Sequence, residues 1–225
     1  MVIMIIVSLC VTSMNRIFSS TCESLPNQVF TTTGAKAFSR TENPDSEVVD
    51  LDFAPFPNNS IHFIITSARS LAPKTREACG LESAARLNPN TTVVLHINSA
   101  RLYMSRMVKN LLAQYKNIIC TRFDIYEVIR GTPYDGWYNS SGIEHSRMKL
   151  TYLSDLGRMA LLYKYGGWYL DIDILSLKSL EDKNFTNAVG IFAKEHRPTT
   201  GDSSFLKFQQ GHTFLKELME LVIER

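Results

Sequence analysis

Apolar positions along this chain fall into short unbroken runs separated by segments of helical spacing. IHFIIT, Ile61 to Thr66, reads as a strand, because an apolar run of this length is too short for a helix. TREACGLESAARLN, Thr75 to Asn88, has helical spacing, with Thr75 as its expected cap and Asn88-Pro89 as its stop. TTVVLHIN then predicts a second strand, RLYMSRMVKNLLAQY a second helix and NIICTRF a third strand. A longer helix is expected over Met148 to Tyr165. Leu153, Leu156, Ala160 and Tyr163 form its core stripe, with Asp155, Arg158, Leu162 and Tyr165 on an adjacent face. GHTFLKELMELVIER, Gly211 to Arg225, reads as a terminal amphipathic helix. Strand–helix alternation of this kind implies βαβ units and an α/β fold with a mainly parallel sheet flanked by helices.

The N-terminal part breaks this pattern. Met1 to Val11 is apolar apart from Ser8 and Cys10, and at eleven residues it falls short of the roughly 20 that cross a bilayer as a helix. It matches the core of a signal peptide or of a shortened signal anchor, so residues 1–18 are expected to direct the chain into the secretory pathway. Ser, Thr, Asn and Pro dominate Ser19 to Ser60, which reads as a stem or linker. The folded domain is then expected over residues 61–225.

Composition narrows the classes of function. An apolar fraction of 44% suits a globular core, and 24 basic against 22 acidic residues leave a net charge of +2. No basic run or stripe stands out, which argues against a nucleic-acid partner. Four sequons, at Asn58, Asn90, Asn139 and Asn184, fit a lumenal location. The four cysteines lack metal-ligand spacing, and any disulfide pairing stays open.

The candidate chemistry lies in GGWYLDIDILSLKSL, Gly166 to Leu180. Read as a strand, it places Leu170, Ile172 and Ile174 on one face and Tyr169, Asp171 and Asp173 on the other. Two like charges side by side repel and lose hydration unless a cation offsets them. Carboxylates so placed offer oxygen to magnesium or manganese, which complete their shells with water and phosphates. The two glycines end the long helix and turn the chain into this strand, so Asp155 and Arg158 can converge with the acidic pair at the carboxyl end of the sheet. The D-x-D run also resembles the haloacid-dehalogenase phosphatase signature. Leu175 stands where that pattern usually has Thr or Val, and its usual place near a domain start does not fit, so that reading is set aside.

Taken in order, REACGLESAARLNP, TPYDGWY, LSDLGRMALLYKYGGWYLDIDILSLKSL and SSFLKF resemble the α1,4-glycosyltransferase family, within the wider set of DXD-containing sugar transferases. The resemblance runs over about residues 61 to 222. It implies a GT-A (Rossmann-like) fold, a Golgi membrane enzyme of type II topology, a UDP-sugar donor and Mn2+. It also implies transfer of Gal, GlcNAc or GalNAc with retention to a glycolipid or glycoprotein glycan acceptor, in an α1,4-type linkage. Carried onto this chain, Asp173 and Asp171 are the expected metal ligands, and Asp171 is also a donor contact. Asp155 and Arg158, from S-D-x-x-R, are expected to hold donor-sugar hydroxyls, and Ile64, Ile65 and Thr66 to lie by the nucleotide. No residue is assigned as nucleophile.

Two departures shape these expectations. Where relatives tend to have Asn-Gly before the F-L-x-F stretch, this chain has Asp202-Ser203. Relatives also continue well past the position of Arg225, which implies a domain incomplete at its C-terminus. A second class of function therefore stands beside the enzyme: a nucleotide-sugar-binding remnant, or a regulator of a longer relative.

Overall fold

The computed structural model describes residues 47–181, 186–192 and 200–225; the predicted signal segment and residues 19–46 of the predicted stem lie outside them. Eight strands and six α-helices are described: β1 Glu47–Asp50, β2 Ile61–Ile65, α1 Thr75–Leu87, β3 Val93–Ile97, β4 Arg101–Met104, α2 Arg106–Gln114, β5 Ile118–Arg122, α3 Ile125–Ile129, α4 Trp137–Ser140, α5 Lys149–Tyr165, β6 Gly167–Leu170, β7 Ala188–Phe192, β8 Thr200–Phe208 and α6 Thr213–Ile223. The main sheet has the order β5-β3-β2-β6-β8-β7. Its first four strands run parallel, and β8 and β7 each join antiparallel.

Alternation along the strands builds two cores, one on each side of this sheet. Ile61, Phe63 and Ile65 of β2 join Val93, Leu95 and Ile97 of β3 beneath α1 and α2. On the other side, Ile64 and Tyr169 pack with Phe123, Tyr134, Tyr138, Leu153, Leu156 and Ala160, and with Leu215 and Met219 of α6. Covering both faces with helices explains why every residue of β2 and β3 is buried, and why all but His62 and His96 are apolar.

Three differences from the sequence reading have local causes. RLYM is not the first turn of a helix but strand β4, paired antiparallel with β1, and the Ser105 side chain that follows it accepts from Val108 N–H to start α2. Residues 47–60, read as the end of a stem, make contacts of their own. Besides the β1–β4 pairing, Leu51 N–H bonds Ala100 O, and Ala54 N–H bonds Thr121 Oγ1. Helix α1 begins at Thr75 but is capped one residue earlier, the Glu77 carboxylate accepting from Lys74 N–H. Its predicted stop holds: buried Asn88 donates Nδ2 to Ala84 O, and its Oδ1 accepts from Leu180 N–H at 2.6 Å. That side chain ties the end of α1 to the loop beyond the acidic pair.

The turn from α5 into β6 is the most constrained part of the backbone. Gly166 and Gly167 adopt φ of +64° and +101°, where other residues are strained. A Cβ on Gly167 would lie 2.1 Å from Ser60 O, so only glycine lets β6 close against the start of β2.

A pair of buried histidines holds this turn from the side. His62 on β2 and His96 on β3 are 0% and 1% exposed, ringed by Phe56 and, beside His96, Phe123. His62 Nε2 lies 3.3 Å from Gly166 O, and since a carbonyl only accepts, that nitrogen carries the proton. His62 Nδ1 therefore accepts from His96 Nε2, 3.1 Å away. Burial pushes the His62 imidazole down to about 4, with the Gly166 carbonyl partly opposing and Lys207 adding, and it holds His96 well below its ordinary value. A depressed folded-state value means that the unfolded chain takes up the proton first. The stability associated with this pair is complete above pH 6.5 and is lost as pH falls towards about 4. Urea unfolding across that window should show stability falling by up to about 1.4 kcal/mol per pH unit for each ring. A level profile would mean that the imidazoles protonate inside the fold.

Candidate functional site

Strand β6 ends at Leu170, so the acidic pair lies not within a strand, as its alternation suggested, but in the turn just beyond it. Ile174 N–H closes that turn on Asp171 O at 2.9 Å. The predicted sidedness nevertheless holds for the apolar residues: Ile172 and Ile174 pack with Leu170 into the core under α1. Gly80 of α1 meets the turn backbone directly, since a Cβ there would lie 2.7 Å from Ile172 O. The absence of a side chain at this point allows the helix to press the turn against the sheet.

Arg158 organises the other half of the site. The residue is 6% exposed, and its guanidinium is surrounded by oxygen. Nε donates to Ser154 O, Nη1 to Ser203 O and Oγ at 2.9 Å each, and Nη2 to Ser154 Oγ at 2.8 Å. Nη2 also pairs with Asp155 Oδ1 at 3.1 Å and Asp171 Oδ1 at 3.5 Å. The ring of Tyr169 lies under the cation, 4.7 Å from it, and the Tyr169 hydroxyl donates to Asp171 Oδ1 at 2.7 Å. Asp171 N–H is fixed in turn by Ser204 O of β8. Asp155 and Asp171, sixteen positions apart, thus share one buried cation.

These contacts set the local charge. Partial burial raises the Asp155 carboxyl above its usual value, Arg158 opposing and Asp171 adding to the rise. Burial also raises the Tyr169 phenol, which keeps it a hydrogen-bond donor. Asp173 stands further out, half exposed, with Arg76 of α1 3.5 Å away. Exposed pairs of this kind contribute little and yield readily to a stronger partner. Three carboxylates against two guanidiniums leave the site with a net negative charge.

Among the described residues no group of three or more His, Cys, Asp or Glu could enclose a metal. Asp171 and Asp173 nevertheless fit a divalent cation of the kind held by one or two carboxylates, with water and phosphate filling its shell. The Tyr169 and Arg158 bonds both fall on Asp171 Oδ1, and the Asp173 carboxylate is half open to solvent.

Of the other expected residues, Ile64 and Ile65 are buried in the two cores, so β2 offers its end there rather than those side chains. Thr66 is partly exposed at the carboxyl edge, its carbonyl accepting from Asn98 Nδ2. Asn58, Asn90 and Asn139 are exposed on the surface; Asn184 lies outside the described residues. Sequence reasoning missed Ser154, Tyr169, Ser203 and Arg76. Ser154 stands four positions before Arg158 in a helix and was legible by that spacing. Ser203 and Arg76 reach the site only through tertiary packing. Among the described residues no helix is long and apolar enough to cross a membrane.

Removing the cation of Arg158 would leave Asp155, Asp171 and the Ser203 carbonyl without their common donor. Arg158→Met should destabilise the fold by roughly 2–4 kcal/mol in urea unfolding. Arg158→Lys should recover only part of that, since an ammonium cannot span both serines and both carboxylates. Wild-type stability in Arg158→Met would show that the guanidinium does not hold the site together.

Comparison with known proteins identifies the family. Residues 74–193 match the family described as glycosyltransferase sugar-binding region containing DXD motif. The chain is 34% identical over 163 residues to mouse lactosylceramide 4-alpha-galactosyltransferase, covering 71% of this chain and 43% of that protein. It is 29% identical over 171 residues to human alpha-1,4-N-acetylglucosaminyltransferase, covering 73% and 48% respectively. The chain thus spans under half the length of these relatives. Among solved structures, PaToxG glycosyltransferase superposes with a TM-score of 0.53 at 16% identity, covering 79% of this chain and 62% of that one, a likeness of fold. The mixed six-stranded sheet flanked by helices is that of a GT-A α/β fold. With its acidic turn inside the matched segment, this chain belongs to the DXD-containing glycosyltransferase family.

Proposed function

We propose that this chain binds a UDP-sugar and transfers its hexose, with retention, to a glycan acceptor. The observation that carries the reading is the single buried Arg158 drawing Asp155 and Asp171 together beside the exposed Asp173. Asp171 and Asp173 would hold a manganese ion, which when bound neutralises the charge that develops on a departing diphosphate. The half-exposed Asp155 carboxylate accepts hydroxyls of the donor sugar, and Arg158 fixes its orientation while remaining shielded from water. Tyr169 and Arg158 both engage Asp171 Oδ1, which leaves the second oxygen of that carboxylate for the cation.

In the transfer itself the bond between the anomeric carbon and the diphosphate oxygen breaks, and UDP leaves with the electron pair. An acceptor hydroxyl oxygen bonds to that carbon, and its proton passes to the departing diphosphate. The carboxyl ends of the parallel strands, where this site lies, are where α/β sheets bind nucleotides, and the end of β2 at Thr66 lies on that edge. The relatives named for α1,4 transfer favour Gal or GlcNAc as the sugar moved and an α1,4-type linkage on a glycolipid or glycoprotein glycan. A Golgi-lumenal, membrane-anchored setting accords with that acceptor class.

Thermal unfolding with UDP, with and without manganese, tests the reading. A ligand at 100 times its Kd adds about 2.7 kcal/mol to a native state that alone binds it. Wild type should show a manganese-dependent gain of this order, and Asp173→Asn should lose it. A folded protein with no response to UDP and manganese would overturn the donor site.

A further inference from the structure

The cavity of about 680 Å³ between the α4 region, α5 and α6 shares Asp155 with the site already described. The ion pair between Arg76 and Asp173 has no task in that description, although the fold places it with care. Arg76 lies in the first turn of α1, where the aligned backbone dipoles disfavour a cation. Its partner is on the acidic turn, and packing holds the two together. Arg76, Gly80 and Ser83 share one face of α1, since they stand at i, i+4 and i+7. At Gly80 a Cβ would lie 2.7 Å from Ile172 O and 3.0 Å from Ile174 O, so the helix backbone rests on the turn. One turn further along, Ser83 Oγ accepts from Ser176 N–H at 3.0 Å. That face therefore meets the segment 172–176 at two fixed points, and one turn towards its start it sets Arg76 3.5 Å from Asp173.

The two arginines of the site differ in how firmly they are held. The Arg158 side chain is 7% exposed and ringed by oxygen, whereas those of Arg76 and Asp173 are 66% and 56% exposed. A pair so open to water is weak and exchanges readily. Charge decides what the exchange does. Three carboxylates against two guanidiniums give the site one net negative charge. A divalent cation entering alone turns that charge positive and brings two cations to the Asp173 carboxylate. A diphosphate arriving with it restores the balance and offers the displaced guanidinium an anionic partner suited to its fork of donors.

We propose that Arg76 is a tethered counter-ion that holds Asp173 until metal and diphosphate are both present, opposing metal alone and favouring the nucleotide once metal is bound. The proposal rests on the donor reading above, in which Asp173 is a metal ligand. By linkage, a group with these two effects makes each ligand strengthen the binding of the other. Arg76 thereby guards the acidic turn against a bare divalent cation.

The full 225-residue chain is titrated with manganese, followed by the loss of the free-ion EPR signal, and then with UDP at saturating manganese by calorimetry. Arg76→Gln should tighten manganese alone by about two- to fivefold, the measure of an exposed ion pair removed. The same substitution should weaken UDP by about two- to fivefold. Lys74→Gln removes an equal charge from the same end of α1, at a side chain 79% exposed and paired with Glu77, and should change either Kd by less than about twofold. Unchanged manganese affinity in Arg76→Gln overturns the competition for Asp173. Tighter manganese with unchanged UDP affinity overturns the hand-over to the diphosphate. Equal effects from Lys74→Gln and Arg76→Gln show a response to net charge alone and also overturn the proposal. Each of these results leaves the donor reading standing. Wild type that binds neither manganese nor UDP removes the donor reading, and the role of Arg76 falls with it.

Discussion

A guanidinium withdrawn from water has to be met by oxygen on every side, and Arg158 meets that demand with three separate pieces of chain. Ser154 and Asp155 come from its own helix, Asp171 from the end of β6 and Ser203 from β8. Desolvation makes the cation intolerant of a missing partner, and that intolerance holds three segments in one geometry. Tyr169 beneath the cation and on Asp171 adds a second tie between the same elements.

The backbone makes this convergence possible. Gly166 and Gly167 turn the chain in a region closed to other residues, and Ser60 O accepts from Trp168 N–H to seat β6 beside β2. Gly80 lets α1 reach the backbone of the acidic turn, and Asn88 clasps the loop that leaves it. The His62–His96 pair braces Gly166 from inside the sheet, linking the ionisation of a buried group to the turn on which the site depends. The same α5 that carries Arg158 towards the acidic turn presents Tyr152, Asp155 and Met159 to the neighbouring cavity.

Most of the sheet was legible because its information is local. β2 and β3 are short runs apolar but for one histidine each, α1 and α5 carry 3.6-residue periodicity, and the glycine pair marks the turn between α5 and β6. Errors arose where the deciding interaction lay elsewhere in the chain. RLYM has enough apolar character to extend a helix, but β1 supplies it with a strand partner and Ser105 gives α2 a better start. β8 escaped notice because it joins antiparallel at the side of β6, beyond the alternation that signals parallel units. The strand reading of Asp171 and Asp173 failed for a related reason: the ladder ends at Leu170, where β8 turns its Ser204 carbonyl to Asp171 N–H.

The sequence by itself determined the α/β class, the long helix bearing Asp155 and Arg158, the acidic pair and the family resemblance. All of these depend on residue types at fixed short spacings. Tertiary structure decided that one buried cation serves both Asp155 and Asp171, that Ser203, 45 positions from Arg158, completes its shell, and that Arg76 faces Asp173. It also decided that Tyr134, Trp137 and Tyr152 line a common cavity with Asp155. Such meetings follow from burial and from strand order, which no window of sequence contains, because they are fixed only when distant segments lose water together.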